Sequence, residues 1–316
     1  METLKTKILA SLESKKYQVK SIIFLAGDAS DRKYFKVILS NKKKLIIMFD
    51  PDKKNLENFL KISNVLKDFV SVPEIYRLYK SKCITIIEDF GNEKYSNILS
   101  NQNRLKLYKL AVDNLVSIQK KKIVVDIPNY TKKKFLDEVN LFFDWYLPFF
   151  KIKQLDSKEQ FNLIFSDYLR KLDVLPKVFV HRDYHIDNLF FLRNRKKNYK
   201  CGWIDYQDAV YGPDLYDLVS LCQDARIDVS TKVENYLVKY FFKQKNISDQ
   251  DYYLFCYDIL GIQRHLKVLG IFCRLSKRDK KDIYLLHLPR VKKMLLSTLK
   301  KNQFKDLYLI LKDLIV

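Results

Sequence analysis

Three polar residues at fixed spacing could carry out chemistry on a hydroxyl group. An apolar segment, Val178–Val180, leads directly into a His-Arg-Asp triplet that ends at Asp183. Asn188 follows five residues later, and Asp205 comes at the end of a further apolar segment. A loop carboxylate can orient a hydroxyl and accept its proton, while an amide oxygen and a second carboxylate are ligands that suit Mg²⁺. The spacing therefore predicts phosphoryl transfer, with Asp183 as the base and Asn188 and Asp205 as metal ligands.

The elements around these residues predict that the two metal ligands are neighbours. Segments 189–192 and 201–204 are apolar and are separated by a polar turn, which predicts a β-hairpin. Adjacent strands lie about 4.8 Å apart, so we expect Asn188 and Asp205 side by side and near Asp183. The order His-Arg-Asp, then Asn, then a metal-binding Asp is also the order found in protein kinases.

Two other interpretations of this region remain open. His181 and Asp183 could simply belong to a capped turn without a catalytic role. Alternatively, His181, Asp183, His185 and Asp187 alternate along the chain and could be the ligands of a metal hydrolase. Imidazole and carboxylate groups are typical ligands of zinc or iron.

The phosphate-binding residues are expected near the N-terminal strands. None of the six glycines starts a G-x-x-x-x-G-K-[ST] or a G-x-G-x-x-G motif. The turn Gly27–Ser30 instead offers one glycine and small residues, which let backbone N–H groups approach phosphate oxygens. Protein kinases also use a lysine on the third strand, but segment 45–49 contains none. Arg32 and Lys33 are therefore the candidate phosphate-binding side chains, although each could equally be a solvent-facing base.

The distribution of apolar residues predicts an α+β fold of two unequal lobes. Residues 1–90 suggest an N-terminal helix and five strands, with a second helix inserted before the fourth strand. Residues 91–316 show mainly helical spacing, interrupted by short strands between 178 and 204. We predict a small β-rich lobe at 1–90, which binds the nucleotide. The larger helical lobe at 91–316 would hold the catalytic loop and the substrate site.

Charge and cysteine usage limit the other function classes. The 316 residues include 59 Lys and Arg against 37 Asp and Glu, a formal net charge of +22. Such a protein attracts nucleic acid, but its lysines are scattered in short groups, which favours a solvated surface. The five cysteines form no C-x-x-C pair, which favours free thiols. No apolar run reaches the ~18 residues of a membrane span. We expect a cytoplasmic protein without nucleic-acid or membrane partners, the alternative being a non-catalytic, basic nucleic-acid-binding protein.

Five segments resemble the aminoglycoside phosphotransferase/choline kinase superfamily, which has the protein-kinase-like fold. Within that superfamily they look most like the bacterial anomeric N-acetylmuramate/N-acetylglucosamine kinases of cell-wall recycling. The segments span almost the whole chain and are 27–35, 87–91, 181–188, 205–213 and 263–272. The resemblance implies ATP as the phosphoryl donor, Mg²⁺ as the cofactor and the C1 hydroxyl of an amino sugar as the acceptor. A kinase for another small alcohol, such as an aminoglycoside, choline or homoserine, is the main alternative.

The resemblance and the local chemistry together assign the candidate site residues. Asp183 is the expected catalytic base, with Asn188 and Asp205 on the metal ion. The expected cofactor-binding residues are Gly27, Ser30, Arg32 and Glu88. Structural roles are expected for His181 and for Asp217, which could brace the catalytic loop. The candidate substrate residues are Asp208, Arg264, Lys267 and Trp145, although Trp145 lies in an aromatic cluster that favours a core position.

The charge near the end of the chain bears on the acceptor. From Gly261 to Val316, fourteen Lys and Arg residues oppose four Asp residues. A basic lobe repels polycations such as aminoglycosides and tolerates or attracts a carboxylate. N-acetylmuramate carries such a carboxylate, and Arg264 is the first candidate to bind it bidentately. The alternative is that Arg264, Lys267 and Arg274 all face water.

Overall fold

Apolar residues recur at every second position in the strands and at every third or fourth position in the helices. The computed structural model describes residues 2–13, 17–27, 31–153 and 157–316. The strands in these residues are β1 Val19–Gly27, β2 Lys33–Leu39, β3 Lys44–Phe49, β4 Ile75–Tyr79, β5 Ile84–Glu88, β6 Lys177–Val180, β7 Leu189–Phe191, β8 Cys201–Trp203 and β9 Val210–Pro213. The helices are α1 Glu2–Glu13, α2 Lys53–Leu66, α3 Tyr95–Ile98, α4 Arg104–Gln119, α5 Lys132–Leu141, α6 Leu147–Phe149, α7 Ser157–Lys171, α8 Tyr216–Cys222, α9 Thr231–Lys245, α10 Gln250–Asp279, α11 Leu288–Leu299 and α12 Lys305–Leu311.

The first five strands form one antiparallel sheet with the spatial order β1-β2-β3-β5-β4. Alternate residues of β2 are buried, and Phe35 lies opposite Ile47 of β3. Ile8 and Leu12 of α1 belong to the same buried cluster as these strands, so α1 packs on the sheet. The predicted N-terminal helix, the five strands and the inserted helix are confirmed.

The inserted helix α2 begins at a capping aspartate. The Asp52 side chain accepts hydrogen bonds from the backbone N–H groups of Lys54 and Asn55, which are donors that a helix start leaves unpaired. The buried apolar side of α2 carries Leu56, Phe59, Ile62 and Leu66. Burial of these residues holds α2 in place. Its capping residue, Asp52, comes shortly after the end of β3 at Phe49.

The β7–β8 hairpin belongs with the N-terminal sheet. The backbone N–H of Trp203 donates to the carbonyl of Ser71 at 2.8 Å, and Phe190 forms a β-bridge with Lys94. The chain accordingly divides into two compact units, 1–103 with 186–208 and 104–185 with 209–316. The boundary suggested by the sequence, at residue 90, falls inside the first of these units.

The second unit contains the remaining helices and a separate pair of strands. β6 pairs with β9 in antiparallel fashion, with Val180 opposite Val210, while β7 and β8 form their own two-stranded sheet. The sequence predicts the β7–β8 hairpin correctly but does not predict β9. Gly212 and Pro213, at the end of β9, are residues that usually interrupt strands, and they conceal this strand in the sequence.

The 30-residue helix α10 is buried along most of its length. Its apolar residues Ile262, Leu266, Leu269 and Phe272 are buried, and so are the polar residues Gln263, Arg264 and Lys267. Gly270 lies so close to α5 that an added Cβ would come 2.2 Å from the carbonyl carbon and oxygen of Leu141. A glycine is needed here because the two helix backbones approach closely. Among the described residues, no helix has both the length and the apolar content to cross a membrane.

Gly270→Ala should destabilise the protein by about 1 to 3 kcal/mol, because overpacking forces backbone to move. An alanine inside a helix otherwise stabilises it by about 1 kcal/mol relative to glycine. Gly261→Ala in the same helix is the matched control, since its Cβ would meet the Oε1 end of the Gln223 side chain instead of backbone. Urea unfolding of both variants checks this expectation. Equal stability of the two variants would contradict the close packing of α5 and α10.

Candidate active site

The hairpin ends bring Asn188 and Asp205 to one place in the first unit. Leu189 pairs with Trp203, and the N–H of Ile204 donates to the carbonyl of Asn188 at 3.1 Å. Asp205 therefore follows the residue directly opposite Asn188. The Asn188 side chain is buried, whereas the Asp205 side chain is 29% exposed. The predicted juxtaposition of these two residues is present in the structure.

The donor set at the hairpin end fits a magnesium ion. An amide oxygen and a carboxylate oxygen are hard donors, and Mg²⁺ is usually held by one or two such groups together with substrate phosphates. The alternative metal-hydrolase cluster is not formed. In the described parts of the chain, no group of three or more His, Cys, Asp or Glu side chains is placed to hold a metal ion. The alternation of His and Asp between 181 and 187 therefore does not make a zinc or iron site there.

Asp205 is held in an unusual backbone conformation by its neighbours. Its φ angle is 65°, in the left-handed region that non-glycine residues seldom occupy. The Nε2 amide of Gln207 donates to Oδ1 of Asp205 at 2.8 Å. The next residue, Tyr206, shares a 2.6 Å hydrogen bond with Ser63 of α2 and stacks on Phe59. These contacts fix both the carboxylate and the backbone that carries it.

Arg32 is buried beside this carboxylate and does not face solvent. Its side chain is only 2% exposed, and its Nε donates to Oδ2 of Asp50 at 2.7 Å. Its Nη1 lies 3.6 Å from Oδ1 of Asp205. The interpretation of Arg32 as a solvent-facing base is therefore wrong. Gly27 is the last residue of β1 and pairs with Lys33, and Ser30 lies outside the described residues.

Glu88 and Asp208 lie in the same unit but make different contacts. Glu88 ends β5, and both of its carboxylate oxygens accept hydrogen bonds from Nη2 of Arg195, at 2.6 and 2.8 Å. Its Oε2 also accepts the N–H of Glu74. Asp208 is exposed, and its carboxylate lies 3.5 Å from the Gln207 amide. Glu88 thus lies in an ion pair with Arg195. Asp208 lies at the protein surface, three residues after Asp205 in the sequence.

In the second unit, the loop that carries Asp183 is braced by Asp217. The Asp217 carboxylate accepts the backbone N–H of His181 at 2.7 Å and that of Arg182 at 3.0 Å. Burial raises the pKa of Asp217 to about 7, although the two N–H donors act in the opposite direction. Arg182 has a φ angle of 74°, which is strained for a non-glycine residue and persists only where neighbours over-determine it. The buried ring of His181 packs edge-on against Tyr184.

Two cations of α10 lie around Asp183. Nη1 of Arg264 donates to the carbonyl of Arg182 at 3.0 Å, and Arg264 and Lys267 are only 5% and 6% exposed. The interpretation that Arg264, Lys267 and Arg274 all face water is therefore wrong. Burial alone would raise the pKa of Asp183, but the positive charges of Lys267 and Arg264 outweigh burial and hold that pKa well below its usual value. Asp183 is therefore ionised near neutral pH.

His185 is neutral and is held by an arginine that the sequence analysis did not single out. Nη1 of Arg226 lies 3.3 Å from Nε2 of His185, and because arginine can only donate, Nε2 is the acceptor. Burial, together with the charge of Arg226, lowers the pKa of His185 well below its usual value. The neighbouring Tyr184 donates to the carbonyl of Ala111 in α4 at 2.9 Å. The loop is thus anchored to its own unit on both sides of Asp183.

Glu138 of α5 is the principal site residue that sequence reasoning missed. Its buried carboxylate accepts hydrogen bonds from Tyr130 and Arg182, and Lys267 and Gln263 each lie 3.1 Å from Oε2. Burial alone would raise the pKa of Glu138, but Lys267 and Arg182 lower it to about 2. One carboxylate therefore connects α5, α10 and the loop that carries Asp183.

A signal for each missed residue exists in the sequence, although it is weak. Glu138 stands next to Val139 on the apolar side of a predicted helix, where a charged residue is unexpected. Asp50 follows β3 directly, and the pairing of Lys33 with Phe49 places Asp50 opposite Arg32 when the register continues by one residue.

The candidate substrate residue Trp145 is half-buried in a π-helical turn between α5 and α6.

Comparison with known proteins identifies the family. A family model described as "Phosphotransferase enzyme family" matches residues 21–251, which is well over half of the chain. The chain belongs to this phosphotransferase family. Among its relatives, the N-acetylmuramate/N-acetylglucosamine kinase of Neisseria meningitidis is 32% identical over 284 residues, covering 85% of this chain and 83% of that protein. The protein of the same name in Pseudomonas aeruginosa is 31% identical over 279 residues, with 85% and 81% coverage.

Solved structures show the fold of this phosphotransferase. The GDP complex of wild-type aminoglycoside 2'-phosphotransferase-IIIa gives a TM-score of 0.68 at 13% identity, covering 94% of this chain and 99% of that chain. Choline kinase LicA from Streptococcus pneumoniae gives a TM-score of 0.66 at 14% identity, with 93% and 99% coverage. These matches confirm the predicted protein-kinase-like α+β fold class.

Glu138→Gln should destabilise this phosphotransferase by about 3 kcal/mol or more, because it removes the carboxylate that pairs with Arg182 and Lys267, two cations with little exposure to solvent. Asp137→Asn on the same helix is the control. It removes only the exposed Lys133–Asp137 ion pair, which is worth about 0.5 kcal/mol or less. Urea unfolding at neutral pH measures both. A similar small loss in the two variants would contradict the assigned role of Glu138.

Acid unfolding tests the same carboxylate independently. The pKa of Glu138, about 2, is below the roughly 4.3 of an unperturbed Glu. Its stabilising effect is therefore fully present above the unfolded-state pKa and is lost as pH falls toward the folded-state pKa. Wild type should lose more stability than Glu138→Gln between pH 5 and pH 2. Parallel curves of stability against pH would contradict this expectation.

Proposed function

We propose that this phosphotransferase uses ATP and Mg²⁺ to phosphorylate the anomeric C1 hydroxyl of N-acetylmuramate and N-acetylglucosamine. The proposal rests chiefly on relatives of that name, which are about 30% identical across 85% of the chain. The product would be a sugar 1-phosphate for peptidoglycan sugar salvage. Because ATP is the donor, we expect the protein to act in the cytoplasm.

Asp183 is the proposed catalytic residue. Its ionised carboxylate would accept a hydrogen bond from the acceptor hydroxyl and orient the oxygen toward the γ-phosphorus of ATP. As the new O–P bond forms and the bond to the ADP oxygen breaks, the hydroxyl proton would pass to Asp183. The low pKa makes Asp183 a weak base, so the proton would move late. Orientation of the hydroxyl would be its larger contribution.

Asn188 and Asp205 are the proposed metal-binding residues. Asn188 would offer its side-chain carbonyl oxygen, and Asp205 would offer a carboxylate oxygen. A bound magnesium ion would supply positive charge that offsets the negative charge of the phosphates. The hydrogen bond from Gln207 and the anchoring of Tyr206 on α2 hold the Asp205 backbone and carboxylate before any ligand arrives.

The remaining nucleotide contacts are proposed for the first unit. Backbone N–H groups at Gly27 and Ser30 would bind phosphate oxygens, as small residues allow. Glu88 is proposed on the nucleotide side of β5, where it would act together with its partner Arg195. Arg32 is proposed to affect nucleotide binding through its contacts with Asp50 and Asp205.

The charge around Asp183 supports a neutral or anionic acceptor. Four cations surround the loop within the second unit, and these are Arg182, Arg226, Arg264 and Lys267. Such surroundings repel a polycation and favour a carboxylate. We propose that Arg264 and Lys267 contribute mainly this positive field, because both are buried. Asp208 and Trp145 remain proposed sugar contacts.

Asp183→Asn should lower turnover by roughly 10²-fold or more, since a positioned base contributes about that much. The amide keeps the size of the side chain, so ATP binding should change little. Asp173→Asn, at an exposed position before β6, is the control and should retain full turnover. Coupled ATP-consumption kinetics and calorimetric ATP titration measure the two properties. Near-normal turnover of a folded Asp183→Asn protein would exclude Asp183 as the catalytic residue.

An acceptor screen tests the proposed function itself. Purified protein with Mg·ATP should phosphorylate N-acetylmuramate and N-acetylglucosamine, and phosphorus NMR should show a C1 phosphate. Kanamycin, choline and homoserine should give no turnover. Efficient phosphorylation of any of these three, or a phosphate at C6, would overturn the substrate proposal. Absence of turnover with every acceptor, together with salt-sensitive nucleic-acid binding, would favour a binding protein instead.

A further inference from the structure

Arg32 lies between two carboxylates in the first unit. Its Nε donates to Oδ2 of Asp50 at 2.7 Å, and its Nη1 lies 3.6 Å from Oδ1 of Asp205. Arg32 and Asp50 are both 2% exposed, so their ion pair is screened little by water. One guanidinium therefore interacts with a deeply buried carboxylate and with the proposed metal ligand.

Asp50 is itself fixed in position. Its backbone N–H donates to the carbonyl of Cys83 at 3.0 Å, and its Oδ1 accepts the N–H of Asp52 at the start of α2. The β2–β3 register places it opposite Arg32. Arg32 is thus held through its Nε by an acceptor whose own backbone and side chain are hydrogen-bonded.

Direct binding of phosphate by Arg32 conflicts with this geometry. If the guanidinium turned to a phosphate, Asp50 would become a buried carboxylate without its counter-ion, which is strongly unfavourable. A planar guanidinium can face two carboxylates at once, whereas a lysine ammonium is a single point charge. The side-chain type therefore suits a bridge between Asp50 and Asp205.

We propose that Arg32 is a positioning residue for Asp205. Held by Asp50, it fixes the Asp205 carboxylate and so acts on the nucleotide through the metal ion. This inference rests on the proposed role of Asp205 as a metal ligand. It narrows the nucleotide-binding role expected for Arg32, and it gives Asp50 a role that the sequence did not reveal.

The test compares ATP binding with and without metal. Calorimetry measures ATP binding in Mg²⁺ and in EDTA. EPR measures Mn²⁺ binding to the ATP-saturated proteins. Both measurements are made on wild type, Arg32→Lys, Asp50→Asn and Asp205→Asn. Arg32→Lys should weaken ATP binding in Mg²⁺ and Mn²⁺ binding by roughly 10-fold or more, as loss of a residue that orients a metal ligand does. ATP binding in EDTA should change little. Arg193→Lys, which alters an exposed guanidinium that pairs with Glu93 and lies over the Phe191 ring, should match wild type.

The outcomes separate the positioning role from its alternatives. Equal weakening in Mg²⁺ and EDTA would show that Arg32 binds phosphate directly and would overturn the inference. Unchanged Mn²⁺ affinity in Arg32→Lys would overturn it as well. If Arg32→Lys does not fold, Asp50→Asn gives the same comparison, because it releases Arg32 while keeping the size of the partner. If Asp205→Asn leaves Mn²⁺ binding intact, the metal assignment in the proposed function fails instead.

Discussion

The loop that carries Asp183 depends on the ion pairs of the buried Glu138 carboxylate. This carboxylate binds Arg182 from the loop and Lys267 from α10, and removal of the carboxylate from such a pair is strongly destabilising. The same Lys267, with Arg264, keeps Asp183 ionised. Packing of α5 against α10, made possible by Gly270, therefore also sets the charge of the proposed catalytic residue.

The first unit uses the same physical device at the proposed metal site. Arg32 interacts with the buried Asp50 and with Asp205, just as Arg182 connects Glu138 with the loop of Asp183. Arg182 and Asp205 both have left-handed backbone conformations, which cost energy and need rigid surroundings. Part of the positive charge of the chain thus lies inside the protein and holds carboxylates in place.

Local patterns predicted most of the fold and the placement of Asn188 beside Asp205. Strand alternation, helix spacing and the turn between β7 and β8 are short-range signals, and they placed Asn188 and Asp205 together at the end of one hairpin. The residues that were missed depend on long-range packing. Glu138 joins the site through the approach of α5 to α10, and the burial of Arg264 and Lys267 follows from the same approach. Asp50 was within reach, because the β2–β3 register alone places it opposite Arg32.

The ionisation of Asp183 tests the account most directly. Carbon-13 NMR of aspartate carboxyl groups, with the Asp183→Asn protein used to assign the signal, follows this group during a pH titration. We predict that Asp183 stays ionised from pH 8 down to pH 4, because Lys267 and Arg264 hold its pKa below the usual value. A titration midpoint at or above about 3.9, the value of an unperturbed Asp, would contradict it.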